Sequence, residues 1–211
     1  DGIRDCLLSR GLGDVYKRQV LLASSNQGKI REFKKIFKGF DFISQEDLGI
    51  DDAVEDGISF FENALKKARH GSNKSGLLTI ADDSGLVVPG LDYEPGIYSA
   101  RYAGEGASDK DNRDKIIDQL NKKNVSSLEA FYICVLVGVR SDLDPIPLYS
   151  VGEIHGRIST KSSGDGGFGY DKIFYPNGYD VSMASIDPEE KNKISHRAVA
   201  ARSFIKELEK L

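Results

Sequence analysis

The sequence contains no tryptophan, one methionine, two cysteines and three histidines in 211 residues. Cys6 and Cys134 lie far apart in unlike contexts, which excludes a disulfide framework and a zinc-ligand spacing; a reducing, cytoplasmic setting fits that usage. No apolar run approaches the ~20 residues needed to span a bilayer, so no membrane partner is expected. Positive charge is not in excess either. With 29 Lys and Arg against 33 Asp and Glu, the formal net charge is −4. There is no global basic field to draw in nucleic acid, and an anionic ligand must be held by a local cationic pocket. What remains is an ordinary globular composition, 39% hydrophobic and 29% charged, long enough for one sizeable domain or two small lobes.

The first residues differ from the rest. Asp1–Gln19 has no initiator Met and no apolar signal core. Its end, DVYKRQ, back-translates as GAT GTG TAT AAG AGA CAG, which resembles a transposase end used in preparing sequencing libraries. Residues 1–19 are therefore expected to be translated adapter sequence, the alternative being a basic N-terminal extension. Residues 20–211 are expected to form one two-lobed domain.

The chemistry-bearing stretch is Ala81–Gly104, ADDSGLVVPGLDYEPGIYSARYAG. Two adjacent carboxylates, Asp82 and Asp83, follow the apolar run Leu77, Leu78, Ile80, Ala81 and are expected to end a strand. Mg²⁺ usually sits on one or two carboxylates plus substrate phosphates. Adjacent strand residues point to opposite faces. One Asp is thus expected to reach a metal or water and the other to brace the turn. The connection that follows carries Tyr93, Ile97, Tyr98, Arg101 and Tyr102, which suits a packed loop lining a cleft.

Upstream, Val20–Ala23 reads as a buried strand. Ser24, Ser25, Asn26, Gln27 and Gly28 form a turn, and Lys29 opens a helix with Ile30 and Phe33 at helical spacing. Strand, polar turn and helix N-terminus make an anion-binding corner, without the glycines of a Walker A loop. Phe40–Ser44 reads as a second strand and Gln45–Asp56 as an acidic, solvated connection. Ser59–Glu62 is a capping box opening a helix, with Asn63 and Lys67 sharing a face. Ser108 and Asp111 open another helix. Ala130–Val139, apolar on both faces, reads as a central strand with Cys134 as core, and Pro147–Ile154 as its hairpin partner. Lys161–Asp171 is a Gly-rich loop around Phe168 and Tyr170, where backbone can approach a ligand and a ring can stack on a base. Asp187–Glu190 starts a helix expected to run to the C-terminus and to carry Lys191, His196 and Arg197.

ASSNQGKIREF, EDGISFFENALKKA, ADDSGL with PGIYSARYAG, GGFGYD and EEKNKISHR, in that order over residues 20–211, resemble the inosine/xanthosine triphosphate pyrophosphatase family. The resemblance implies a long, twisted mixed α/β sheet with helices on both sides, two lobes flanking a nucleotide cleft, and a homodimer. It implies Mg²⁺-dependent hydrolysis of purine nucleoside triphosphates such as ITP, dITP and XTP to the monophosphate and pyrophosphate. By that resemblance Ser24–Lys29, with Lys67, hold the triphosphate, and Glu55 and Asp83 hold the metal. Ser84 binds substrate, with Glu62 and Asn63 in support. Asp83 is the candidate base for water attacking the α-phosphorus, with the alternative that Asp82 is the base and Asp83 purely a ligand. Phe168, Gly169, Tyr170 and Asp171 form the base site with Lys191, His196 and Arg197. Arg197 donates but cannot accept, which favours a 6-keto purine over adenine. The rival readings are a Maf-type pyrimidine nucleotide pyrophosphatase and a non-catalytic nucleotide sensor.

Overall fold

A computed structural model describes residues 19–37 and 39–209; the expectation for the N-terminal segment therefore falls, Gln19 apart, outside the described residues. Six strands form one sheet in the order β2-β1-β3-β4-β5-β6. They are β1 (Gln19–Ala23), β2 (Asp41–Ser44), β3 (Leu78–Val87), β4 (Ser127–Val139), β5 (Leu148–Ser159) and β6 (Phe174–Pro176). The helices are α1 (Gln27–Ile36), α2 (Phe60–Ser75), α3 (Asp109–Lys122), α4 (Pro188–Ile194) and α5 (His196–Leu208). The sheet is mixed, as expected. β1 pairs in parallel with β2 and β3, while β3, β4, β5 and β6 pair antiparallel.

Both faces of the sheet centre are covered. Ile30, Phe33, Phe37, Ala200, Ala201 and Phe204 of the α1 and α5 side pack on Val20, Leu22, Ile80, Cys134 and Leu136. Ala64 and Ala68 of α2 pack on Ala23, Ala81, Val135, Val137 and Val139. A third cluster, with Leu86, Tyr132, Ile158 and Phe174 against Ile116 and Leu120 of α3, forms the core of the other lobe. Each large side chain so buried contributes roughly 1.5–3 kcal/mol. Cys134 is a buried core residue whose thiol is pushed up to about 12 by burial and by the nearby Asp82 charge.

Two expectations need correction. The Asp pair does not end its strand: β3 runs on to Val87, with Asp82 opposite Leu136 and Asp83 opposite Val135. The long apolar β4 supplies a partner throughout, which overrides the weak strand preference of Asp-Asp-Ser-Gly. The C-terminal helix is not continuous either. Ser195, at φ −62 and ψ 152, ends α4 with its N–H on Lys191 O, and its side chain accepts from Ala198 N to cap α5. The hairpin of β4 and β5 forms as expected but is longer than predicted.

The site follows from this topology. β1 is matched to β3 only as far as Ala23 opposite Ala81. From Asp82 onward β3 has lost that neighbour, and its free edge faces the loop leading into α1. The chain leaves β1 for β2 on one side and returns as β3 on the other. That is a switch point at the carboxyl end of β1, where open α/β sheets bind ligands.

Candidate active site

Asn26 caps α1: its side chain accepts from Lys29 N at 3.1 Å, and its own N–H is taken by Ser24 Oγ at 3.2 Å. The amides of Gln27 and Gly28 have no acceptor within the helix and point, with the helix dipole, at the space beyond. Ser24, Ser25, Asn26, Lys29, Glu55, Lys67, Asp83 and Arg101 line that basin. Gln27 turns away to bond Glu46 at 2.9 Å, so it serves through its backbone.

Asp82 and Asp83 diverge across β3, as strand alternation requires. Asp82 is fully buried against the α1 side, 2.8 Å from Lys29 Nζ, and accepts from Ser84 Oγ at 2.6 Å. Burial opposes its ionisation, yet Lys29, with Lys67 and Arg197 beyond, holds its carboxyl well below the usual range. Asp83 faces α2, where Asn63 Nδ2 donates to it at 3.3 Å and Lys67 Nζ lies 3.5 Å away. Burial pushes Asp83 up, partly offset by Lys67 and Lys29 and reinforced by Glu55 and Asp82. Lys67 also meets Glu55 at 3.2 Å. One ammonium thus marks where two carboxylates converge.

Glu55 reaches that point because its loop is fastened along α2. Asp51 O accepts from His70 Nε2 at 2.9 Å, Asp56 pairs with Lys66, Gly57 N donates to Asn63 at 2.8 Å, and Ile58 N donates to Glu62 at 2.8 Å. The Gln45–Asp56 segment is a strap on the helix, not merely a solvated connection. Among the described residues no group of three or more His, Cys, Asp or Glu gathers around a metal position. Glu55 and Asp83 offer two hard oxygen donors, which fits a cation whose other ligands are phosphate and water.

The basin continues into an aromatic pocket through shared walls at Asn26, Lys29, Ser84 and Ala100. The pocket is lined by Phe168, Gly169, Tyr170, Asp171, His196 and Arg197, with Tyr132 among the others. Asp171 is buried and acts as a brace: it accepts from Phe168 N at 3.0 Å, Lys191 Nζ at 2.8 Å and Tyr132 OH at 3.3 Å. Gly167, at φ +71, is required there, since a Cβ would fall 2.1 Å from Asp171 Oδ2. Arg197 and Lys191 lie 5.0 and 5.2 Å from the Phe168 ring centre. His196 stacks on Tyr132 at 4.7 Å. Burial, then Arg197, Lys191 and Lys29, hold His196 well below its usual range and so neutral. Among the described residues neither of its ring nitrogens has a protein partner, nor has Arg197 Nε. Lys191 does not line either space; it bridges Asp171 and Glu32, the latter at 3.1 Å.

Glu32 was not expected from the sequence. It sits between Lys191 and Arg197, bonding Arg197 Nη1 at 3.0 Å. Burial opposes its ionisation, but these two cations lower it. Its one signal is its place three residues after Lys29, on the same helical face. Tyr132 gave none, reading as one of several apolar residues in β4. Tyr93 and Tyr98, expected in the cleft loop, are exposed; the loop reaches the cleft through Ile97, Ser99, Ala100 and Arg101.

Such a cleft, with an anion corner, an aromatic pocket and carboxylates between them, defines a nucleotide-handling α/β protein. The Ham1 family model matches residues 20–207, and the chain belongs to the Ham1 family. A dITP/XTP pyrophosphatase of Legionella pneumophila (strain Paris) is 46% identical over 183 residues, covering 87% of this chain and 94% of the relative. One from Acinetobacter baumannii (strain ACICU) is 46% identical over 197 residues, covering 90% and 95%. Among solved structures, a HAM1 protein from Coxiella burnetii superposes with a TM-score of 0.85 at 37% identity, over 92% of this chain and 100% of that one. The Ham1 protein of Staphylococcus aureus gives 0.80 at 39% identity, over 92% and 99%. This membership sets aside the Maf-type reading.

Proposed function

We propose that this chain is a nucleoside triphosphate pyrophosphatase that hydrolyses non-canonical purine nucleotides, dITP, ITP and XTP, to the monophosphate and pyrophosphate. The observation that carries it is the convergence of Glu55 and Asp83 on Lys67 between an anion corner and an aromatic pocket. The names of its relatives, dITP/XTP pyrophosphatases, support the same reading.

The triphosphate lies on the Ser24–Lys29 corner, with Lys67 and Arg101 opposite. The purine enters the pocket against Phe168. Arg197 offers only donors to a 6-keto oxygen, and neutral His196 supplies one donor and one acceptor. Mg²⁺ is the metal proposed for Glu55 and Asp83, where it would neutralise phosphate charge and polarise the phosphoryl oxygens. Asp82 stays ionised as the fixed counter-charge of Lys29, 2.8 Å away, while Asp83, facing α2 beside Lys67 and Asn63, takes the proton of the attacking water. Asn63 holds Asp83 in place. Lys29 and Lys67 stabilise charge on the leaving pyrophosphate, so catalysis is positioning and charge stabilisation.

The protein is proposed to act in the cytoplasm as a homodimer. No helix among the described residues is long and apolar enough to cross a membrane. The exposed Ile58, Tyr93 and Tyr98, which line one groove, and the exposed Phe61 and Tyr149, which pack edge to face, support self-association. The reaction is tested by pyrophosphate release with Mg²⁺ from ITP, dITP, XTP, GTP, ATP and UTP. Fast turnover of the first three is expected. Preference for UTP, or tight binding without release, contradicts it.

A further inference from the structure

The Phe168 ring is carried by a loop with glycines at 164, 166, 167 and 169, a composition that on its own leaves the backbone free to wander. Cations approach the ring itself. The backbone beside it is held from elsewhere, by the first turns of α3. Gly169 N donates to Asp109 Oδ2 at 2.7 Å, and Arg113 Nη1 donates to Gly169 O at 2.7 Å. Asp109 and Arg113 are four residues apart on α3 and so share a face. Together they grip both polar groups of one residue, Gly169, which sits at φ +59.

The helix end that supplies this grip is itself fixed. Ser108 and Asp111 form a capping box. Asn112 accepts from Ala103 N at 2.7 Å and donates to Ala100 O at 3.1 Å. Ile116 and Leu120 are fully buried. Asp109 also lines the aromatic pocket. The glycine-rich loop is thus tied to a rigid element by two charge-assisted hydrogen bonds at the residue next to its aromatic ring.

We propose that Asp109 and Arg113 form a clamp on Gly169 that sets the Phe168 ring at the height of the bound purine. They are positioning residues for the base, acting through Phe168, and the proposal rests on reading the cleft as a purine nucleotide site. Phe168 N is also held by Asp171, at 3.0 Å, and Tyr170 OH by Ser99 O, at 2.7 Å, so losing the clamp shifts the ring without unfolding the lobe.

The test is equilibrium binding of deoxyinosine monophosphate and of inorganic pyrophosphate. The proteins are the wild type, Asp109→Ala, Arg113→Met, Asp109→Asn, Phe168→Ala and the Asp109→Ala/Phe168→Ala double variant. Asp109→Ala and Arg113→Met are expected to weaken the monophosphate about tenfold, the scale of one charge-assisted hydrogen bond. Pyrophosphate affinity stays unchanged, Asp109→Asn recovers most of the loss by keeping an acceptor oxygen, and Asp109→Ala has no further effect once Phe168 is gone. Unchanged monophosphate affinity in both single variants, an equal loss for pyrophosphate, or full additivity with Phe168→Ala overturns the clamp. A wild type that binds no monophosphate overturns both the clamp and the nucleotide reading. One that binds it without hydrolysing dITP contradicts the reaction alone, and the same variant comparison still decides the clamp.

Discussion

Asp82 and Asp83 are sequence neighbours that face opposite sides of β3, and their surroundings push them in opposite directions. Asp83→Asn is expected to lower kcat by roughly 10³-fold while dITP affinity is largely kept, since the amide fits the site but takes no proton. Lost affinity at a normal kcat would contradict the role. Lys29→Met leaves Asp82 buried beside an apolar stem and is expected to cost about 3 kcal/mol in urea unfolding, the scale of breaking a buried pair. Adding Asp82→Asn to Lys29→Met is expected to recover part of that loss. The divergence of the two carboxylates was legible from strand alternation, and Glu55, Lys67, Phe168 and Arg197 from the motifs. Which Asp pairs with which lysine was not, because Lys29 reaches Asp82 only once β1 and β3 lie side by side. Glu32 was hidden for a related reason: a glutamate on a helix reads as solvated until Lys191 and Arg197 arrive from the other end of the chain.

Local signals placed most elements. Ser59 and Ser108 open α2 and α3 as their capping patterns require, and Asp187 with Pro188 opens α4. The break at Ser195 was missed because one serine inside a helical pattern is ambiguous: it can face solvent or cap a new helix. That break is what turns His196 and Arg197 inward at the start of α5. β5 accommodates the turn by carrying Gly152, where a Cβ would lie 2.2 Å from His196 O and 2.3 Å from Ala200 N. Both atoms are backbone and cannot swing aside. Gly152→Ala is therefore expected to cost about 3 kcal/mol in chemical denaturation and to raise KM for dITP by displacing His196 and Arg197. A stability change below about 0.5 kcal/mol would mean α5 shifts freely on β5. The length of β3 was likewise illegible locally, since Ser84 and Gly85 read as a turn; the pairing with β4 decides it.

The open sheet and its two lobes were legible as a class from the order of strand and helix patterns and from the family resemblance, whereas the cleft geometry required the long-range pairing. One consequence belongs to the molecule as a whole. His196 is buried and neutral, its ionisation held well below the usual histidine range by burial and by Arg197, Lys191 and Lys29. Unfolding frees it to take a proton once the pH falls below about 6.5. The unfolded state then binds more protons than the folded one, so stability falls as the pH falls. Below about pH 4, Asp82 and Glu32, both lowered in the fold, add to the loss in the same direction. Tm is expected to decline between pH 7 and 5, and His196→Gln to flatten that decline; a slope untouched by the substitution would place its origin elsewhere.

Hydrolysis of dITP in ¹⁸O-labelled water tests the central claim most directly, that water attacks the α-phosphorus of a triphosphate held on the Ser24–Lys29 corner. The expected result is one ¹⁸O in deoxyinosine monophosphate and none in pyrophosphate. Label in pyrophosphate, or release of orthophosphate instead, would contradict attack at the α-phosphorus and with it the placement of the triphosphate on the Ser24–Lys29 corner.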